Sequence, residues 1–271
     1  NIPDMKIKNS GIEVALDYQS DRTRDFSFNI GGNISYIKNE ITDSPFTIVT
    51  TGTASGAGQT GATINGYMNN QPIGNFFLRE FTGIGADGFS TYTDLNGDGQ
   101  IDDSDRISAG SAVPDILYAF YLKFKYKNFD LGLNFNGVSG NEIYNHTRMS
   151  LFNKTQISNS LNTTDQAIAY PNEDPSNTNT VSTRYLENGA FLRLNNATFA
   201  YSLNPQVIGM DKWLDNVRLS VTGQNLFIIT DYTGFDPELN TGSSSDSKSY
   251  GIDYYTYPKA RTVVFGLNVS F

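Results

Sequence analysis

The chain has 271 residues, enough for one large β domain or two smaller ones. Its aromatic content of 13%, against 38% hydrophobic residues overall, disfavours an α/β enzyme core and favours strands that place Tyr and Phe at interfaces. The net charge of −9 argues against nucleic acid as a partner, and the absence of cysteine excludes disulfides and thiol chemistry.

Two alternating segments open the chain. A two-residue period of apolar and polar side chains predicts a first strand near 11–19 and a second near 25–38, with a short polar turn at 20–24 between them. Each strand therefore has one apolar face and one polar or small-residue face.

Residues 39–114 follow a different pattern. The segment 50–61 is rich in Gly, Thr, Ala and Ser and predicts a mobile loop, while 76–81 predicts a short strand. The whole region contains nine acidic and two basic residues, so it carries seven of the nine net negative charges.

Strand periodicity then resumes for the rest of the chain. Five more strands are predicted, near 116–126, 129–136, 190–202, 216–229 and 262–271. In the third of these, Leu192 and Leu194 face one way while Phe199 and Tyr201 face the other, which predicts a β-bulge. The last strand is about ten residues long and ends on Phe271, as suits a strand that crosses an outer membrane.

The connections between these strands alternate in length. Those at 20–24, 127–128 and 203–215 are short, and those at 39–114, 140–188 and 230–260 are long. Bacterial outer-membrane barrels have short periplasmic turns and long extracellular loops, so the pattern predicts a transmembrane barrel with long extracellular loops. Seven strands cannot close, and we expect the chain to be the end of a larger barrel. The alternative is a soluble β-sandwich.

One acidic segment has the spacing of a calcium-binding loop. Oxygen ligands fall at positions 1, 3, 5, 7, 9 and 12 of 94–105, and Gly99 takes the sharp turn at position 6. The predicted metal-site residues are Asp94, Asn96, Asp98, Gln100, Asp102 and Asp105. We expect a structural Ca²⁺ here; the alternative is an Asx-rich turn held by side-chain-to-backbone hydrogen bonds.

Catalytic constellations are sparse in this sequence. The sole histidine, His146, falls in a predicted loop and is expected to be exposed. The sequence therefore offers few residues from which to build a hydrolase triad or a histidine-based zinc site. We predict that the protein is not an enzyme.

Several motifs, in order along the chain, resemble one family. They are Asp94-Leu-Asn-Gly-Asp-Gly-Gln-Ile-Asp-Asp-Ser-Asp-Arg106, Tyr126-Lys-Asn-Phe-Asp130, Gly137-Val-Ser-Gly-Asn141, Phe191-Leu-Arg-Leu-Asn-Asn196, Gly223-Gln-Asn-Leu-Phe227, Tyr232-Thr-Gly-Phe-Asp-Pro-Glu238 and Tyr257-Pro-Lys-Ala-Arg261. Together they are similar to the SusC/RagA-type TonB-dependent transporters.

This resemblance implies that 1–271 is the C-terminal segment, about seven antiparallel strands, of an all-β, 22-stranded transmembrane barrel in the bacterial outer membrane. The plug domain and N-terminal strands would lie outside this chain. The implied function is active import of glycan or peptide oligomers with a SusD-like lipoprotein and the TonB complex. The implied contacts are the remainder of the barrel and membrane lipid. The competing hypothesis is a secreted, calcium-stabilised adhesin or glycan-binding module.

Overall fold

The computed structural model describes residues 5–21, 23–54, 62–239 and 249–271 of an all-β chain. Its strands are β1 (Lys6–Gln19), β2 (Phe26–Thr42), β3 (Val49–Thr53), β4 (Thr63–Tyr67), β5 (Asn75–Arg79), β6 (Phe81–Ile84), β7 (Ser90–Tyr92), β8 (Arg106–Ser111), β9 (Ile116–Tyr126), β10 (Phe129–Ser139), β11 (Glu142–Tyr144), β12 (Leu186–Asn188), β13 (Phe191–Leu203), β14 (Asn216–Thr230) and β15 (Thr262–Ser270). Two short helices, α1 (His146–Leu151) and α2 (Thr155–Ser158), and 3-10 turns at Asp103–Asp105, Asp165–Ile168, Thr183–Tyr185 and Pro205–Ile208 complete it.

The seven long predicted strands form one antiparallel sheet. Its order, β1-β2-β9-β10-β13-β14-β15, follows the chain, so each strand pairs with the next long strand in sequence. The prediction of seven antiparallel strands is confirmed. Several strands extend beyond their predicted ends, and β2 reaches Thr42.

The predicted bulge is present in β13. Asn134 of β10 pairs with Asn196, whereas the next residue, Phe135, pairs with Leu194. The intervening Asn195 is the extra residue, and the register between β13 and β14 shifts at the same place. One extra residue reverses the phase of the alternation, which reconciles Leu192 and Leu194 with Phe199 and Tyr201 on one face.

The register places the apolar residues of all seven strands on a single face. One row runs from Phe28 through Phe124, Leu131, Phe199 and Val221 to Phe265. Many of these side chains are exposed, and Phe265 is 79% exposed. The opposite face carries polar and small residues, including Asn29, Lys123, Gly132, Thr198 and Thr222.

The three long connections lie at one end of the sheet, because successive strands are antiparallel and the long connections alternate with short ones. We call these connections, at 43–115, 140–190 and 231–261, the loop assembly. The prediction of a mobile loop at 50–61 is wrong for its first part, since β3 pairs with β4; residues 55–61 lie outside the described part. The short strand predicted at 76–81 is two strands, β5 and β6.

Buried hydrophobic residues occur both in the sheet, as at Ile41 of β2 and Leu194 of β13, and in the loop assembly. The cluster in the loop assembly consists of Ala54, Ile64, Phe76, Leu78, Tyr144, Met149, Val181, Tyr185 and Ile252. All three long connections contribute to it, and the seven-stranded sheet contributes none. The described parts of the segments predicted as loops therefore pack together as one unit. Within the residues described, no helix combines the length and apolarity needed to cross a membrane.

Candidate functional site

The loop assembly is joined by hydrogen bonds between its three connections. The backbone N–H of Tyr144 donates to the carbonyl of Gly251 (2.9 Å), and that of Asp253 donates to the carbonyl of Tyr144 (2.9 Å). The first connection is tied to the third by Asn65, whose side-chain amide donates to the carbonyl of Tyr250 and accepts from its N–H, at 3.2 and 3.1 Å. These bonds give each connection a fixed position relative to the others.

A buried carboxylate lies where the second and third connections meet. Asp253 is fully buried and accepts hydrogen bonds from the Thr147 hydroxyl (3.1 Å), the Tyr232 hydroxyl (2.6 Å) and the Thr256 N–H (2.8 Å). Burial, together with the adjacent charge of Asp253, raises the pKa of Tyr232. Tyr232 therefore stays protonated as a donor, and the arrangement acts as a structural junction.

The sequence-based expectation for His146 is wrong. His146 is the first residue of α1 and is fully buried, not exposed in a loop. Its ring packs against Tyr254 and Tyr255, at centroid distances of 4.9 and 5.9 Å, and its Nδ1 lies 3.4 Å from the Ser150 hydroxyl. Loop composition predicted exposure here, but residues of the second and third connections pack around the imidazole.

A buried ion pair within the second connection packs against the hairpin of β6 and β7. The Arg184 guanidinium makes two bonds to the Glu173 carboxylate, at 2.6 and 2.7 Å, and lies over the rings of Phe81 and Tyr170. A charge-assisted bidentate pair of this kind fixes orientation as well as distance. It holds the hairpin against residues 170–184.

Three of the family-like motifs meet at one charge cluster. Arg193 lies on the polar face of β13, and its guanidinium is 2.5 Å from the Asp236 carboxylate and 3.3 Å from that of Glu238. The Lys259 ammonium is 2.5 Å from the same Glu238 carboxylate. Arg193 and Asp236 are both buried. The cluster attaches the third connection to the wall of the sheet. The motifs were evident in sequence, but their convergence was not.

The predicted metal loop is held by its own side chains. Asp94 accepts hydrogen bonds from the N–H groups of Gly97 and Gly99, at 2.7 and 2.9 Å, and Asp98 accepts from that of Gln100 at 2.8 Å. Gly99 has a φ of +81°, the left-handed turn expected at position 6. Asn96 accepts from the N–H of Asp98 at 3.0 Å.

The last two predicted ligands form the closing turn of the same loop. Asp102 caps the 3-10 turn by accepting from the Ser104 N–H (2.7 Å), and the fully buried Asp105 accepts from Asp102 N–H (2.8 Å) and Leu95 N–H (2.9 Å). The hydrogen bonds from Asp102 and Leu95 lower the pKa of Asp105.

The loop thus has the features of the Asx-rich turn, and five of the six predicted ligands use side-chain oxygens to organise backbone, Gln100 being the exception. In the described residues, no group of three or more His, Cys, Asp or Glu side chains is placed to hold a metal ion. The calcium ion stays a prediction. It would need the Asp94, Asp98 and Asp102 carboxylates to turn toward one point while keeping these bonds.

The height of the apolar face fits a membrane. Strand β9 runs for ten residue steps between Ile116 and Tyr126. At about 3.4 Å a step and a tilt of about 40°, this corresponds to a band about 26 Å high, close to the apolar band of outer-membrane barrels. Tyr126, Phe129 and Tyr201 are neighbours at the short-turn edge, where aromatic girdles occur.

Comparison with known proteins identifies the family. TonB-dependent receptor P3 of Formosa agariphila is 31% identical over 98% of this chain and 29% of that protein. TonB-dependent receptor SusC of Bacteroides thetaiotaomicron is 28% identical over 98% of this chain and 26% of that protein. The chain belongs to the SusC/RagA-type TonB-dependent transporters of the outer membrane.

Solved structures agree on the fold. The RagAB peptide transporter superposes with a TM-score of 0.77 and 22% identity, over 98% of this chain and 29% of that chain. The RagAB peptide importer in its closed-closed state gives a TM-score of 0.72 at 20% identity. The chain spans less than a third of the length of these relatives, and no family model matches it.

Proposed function

We propose that this chain forms the C-terminal part of a 22-stranded barrel that imports nutrient oligomers across the outer membrane. The observation that carries the proposal is the open seven-stranded sheet with one continuous apolar face. Among the residues that the structure describes, its two outer strands, β1 and β15, each pair on one side only. Unpaired backbone groups at such edges are costly in lipid, so further strands of the same polypeptide would complete the ladder.

In this arrangement the polar face lines the lumen and the loop assembly lies outside the cell. The loops would contact a SusD-like lipoprotein and the arriving substrate. Their mutual packing supports this role, because a pre-organised surface loses less conformational entropy when it binds than a set of mobile loops does. A plug domain and a TonB-contacting segment, both outside this chain, would couple import to the TonB complex.

The substrate class is a glycan or a peptide oligomer. The name of the RagAB structures supports a peptide, because it describes those proteins as a peptide importer. The polar face supports either class, since its amide side chains, among them Asn29, Asn134 and Asn136, both donate and accept hydrogen bonds.

Uptake by the intact transporter tests the proposal. We would express the full-length protein and its neighbouring lipoprotein in a host lacking other transporters of the family, and offer labelled neutral oligosaccharides and oligopeptides. We expect TonB-dependent accumulation of one class and co-purification of the lipoprotein. Equal accumulation of both classes with and without TonB, or a protein that stays soluble without detergent, would contradict it.

We also propose a structural Ca²⁺ in the 94–105 loop, supported by the oxygen spacing and by the left-handed Gly99. Asp94→Ala and Asp98→Ala would abolish the ion and loosen the loop without stopping barrel assembly, while Asp87→Ala serves as the control outside the ligand set. An anomalous-scattering map of the calcium-soaked transporter with no peak between these side chains would reject the proposal.

A further inference from the structure

Two lysines lie on the polar face toward the short-turn end of the sheet. Lys123 and Lys125 project from β9 on this face, and both are exposed. They line a concavity together with Gln19, Ser27, Asn29, Asp130, Asn134, Thr198 and Arg218. We call this surface the lysine concavity.

The charges of the lysine concavity do not balance. Asp130 supplies the only carboxylate among the residues that line the concavity, and it forms an ion pair with the Arg218 guanidinium at 2.7 Å. Lys123 lies 4.8 Å from the centroid of the Tyr121 ring, a cation–π contact. Among the described residues, neither Lys123 nor Lys125 has a carboxylate within ion-pair distance, although Lys125 lies opposite Asp130 in the β9–β10 register. The lining therefore carries two more positive charges than negative ones.

The environment of this surface changes once the barrel is complete. Barrels of 22 strands have a plugged lumen, so a folded segment occupies the space that the polar face encloses. Excluding water from two unpaired ammonium groups is costly unless an opposite charge accompanies them. The filling segment therefore needs to supply carboxylates at this position.

We propose that the lysine concavity binds an acidic segment of the lumen-filling part of the same polypeptide, which lies outside residues 1–271. The proposal rests on the barrel assignment of the proposed function. Two observations favour this occupant over an anionic substrate: the concavity lies at the end of the sheet remote from the loop assembly, and the matched relatives are more than three times the length of this chain.

Zero-length cross-linking of the full-length transporter in outer-membrane vesicles tests the proposal directly. A carbodiimide joins an amine to a carboxylate only when the two are in contact. We expect mass spectrometry to identify peptides that link Lys123 or Lys125 to an Asp or Glu outside residues 1–271. Lys127, in the β9–β10 turn and 5.5 Å from the Tyr126 ring, is the control amine and should not give that product.

Charge reversal provides the second measurement. Lys123→Glu/Lys125→Glu should raise the entry of a bulky antibiotic severalfold, because the acidic filling segment is then repelled from the lysine concavity. The control, Lys127→Glu/Lys212→Glu, makes the same charge change in turns and should leave entry unchanged. Heat-modifiable migration on gels checks that both variants assemble. Cross-links confined to residues 1–271, no cross-link, or protection of the lysines by an anionic oligomer would overturn the proposal. TonB-dependent uptake that persists alongside such a result would leave the transporter assignment standing.

Discussion

The seven-stranded sheet and the loop assembly bury their apolar residues in different ways. Phe265 on the sheet is 79% exposed and is suited to contact lipid, whereas Phe76 in the loop assembly is fully buried among residues of all three long connections. The sheet presents its apolar face outward, while the loops contain their own core. The two units therefore place their apolar side chains in different surroundings: the sheet on its outer face, and the loop assembly in the protein interior.

The largest expected effect comes from the loop core. Phe76→Ala should destabilise the loop assembly by about 3–5 kcal/mol, because it removes a fully buried aromatic ring and leaves a cavity. Phe265→Ala is the matched control on the apolar face. Limited proteolysis of the full-length protein in membranes should show faster cleavage within 43–115 for the first variant alone. Equal cleavage in both would remove the distinction between the two units.

The attachment between the two units should be nearly as sensitive. Asp236→Asn removes the negative charge of one carboxylate that contacts the buried Arg193 guanidinium. This change should lower the stability of the attachment by about 3 kcal/mol. Asp43→Asn, in the exposed pair with Lys6, is the control and should cost less than about 1 kcal/mol. Hydrogen exchange of residues 231–239 measures the difference. Unchanged protection in Asp236→Asn would show that the charge cluster does not hold the third connection.

The Tyr232–Asp253 junction should contribute less. Tyr232→Phe removes the 2.6 Å hydrogen bond to the buried carboxylate of Asp253 and should destabilise the loop assembly by about 1–3 kcal/mol. Tyr257→Phe, at an 88% exposed tyrosine, is the control. Proteolysis at rising temperature measures the difference, and the loops of Tyr232→Phe should be cleaved at a lower temperature than those of Tyr257→Phe. A Tyr232→Phe protein as stable as the control would contradict the junction.

The smallest effect concerns pH. Because backbone N–H donors lower the folded pKa of Asp105, its contribution to loop stability is present above the ordinary aspartate pKa of about 3.9 and is lost as pH falls through the lower, folded value. We expect protection of 94–105 to fall only below about pH 4. Asp105→Asn should abolish that acid-dependent step, and Asp103→Asn should keep it. A step near neutral pH would contradict the assignment.

The sheet could be predicted from sequence because its information is local. Alternation in 262–271, and the phase change between Leu194 and Phe199, follow directly from the geometry of a strand. The loop assembly could not be predicted in the same way. The burial of His146 depends on Tyr254 and Tyr255, more than a hundred residues away, and no period in the sequence encodes that contact.

Candidate functional residues divide in the same manner. The spacing of 94–105 predicted the turn at Gly99, and the loop adopts it. The bond of Arg193 with Asp236 was hidden because 43 residues separate the partners, although both lie in motifs visible in the sequence. An ion pair between distant motifs requires knowledge of the register that brings them together.

Cysteine scanning of β15 tests the central claim that one face of this sheet meets lipid. The sequence contains no cysteine, so each substitution from Val263 to Val269 would introduce the only thiol of the segment. In membranes, a water-soluble maleimide should not label cysteines at Val263, Phe265, Leu267 and Val269. A quencher carried in the lipid should reduce the fluorescence of a probe attached at those positions alone. Gly266 and Asn268, on the polar face, should escape the quencher. Uniform maleimide labelling of all positions would contradict the account.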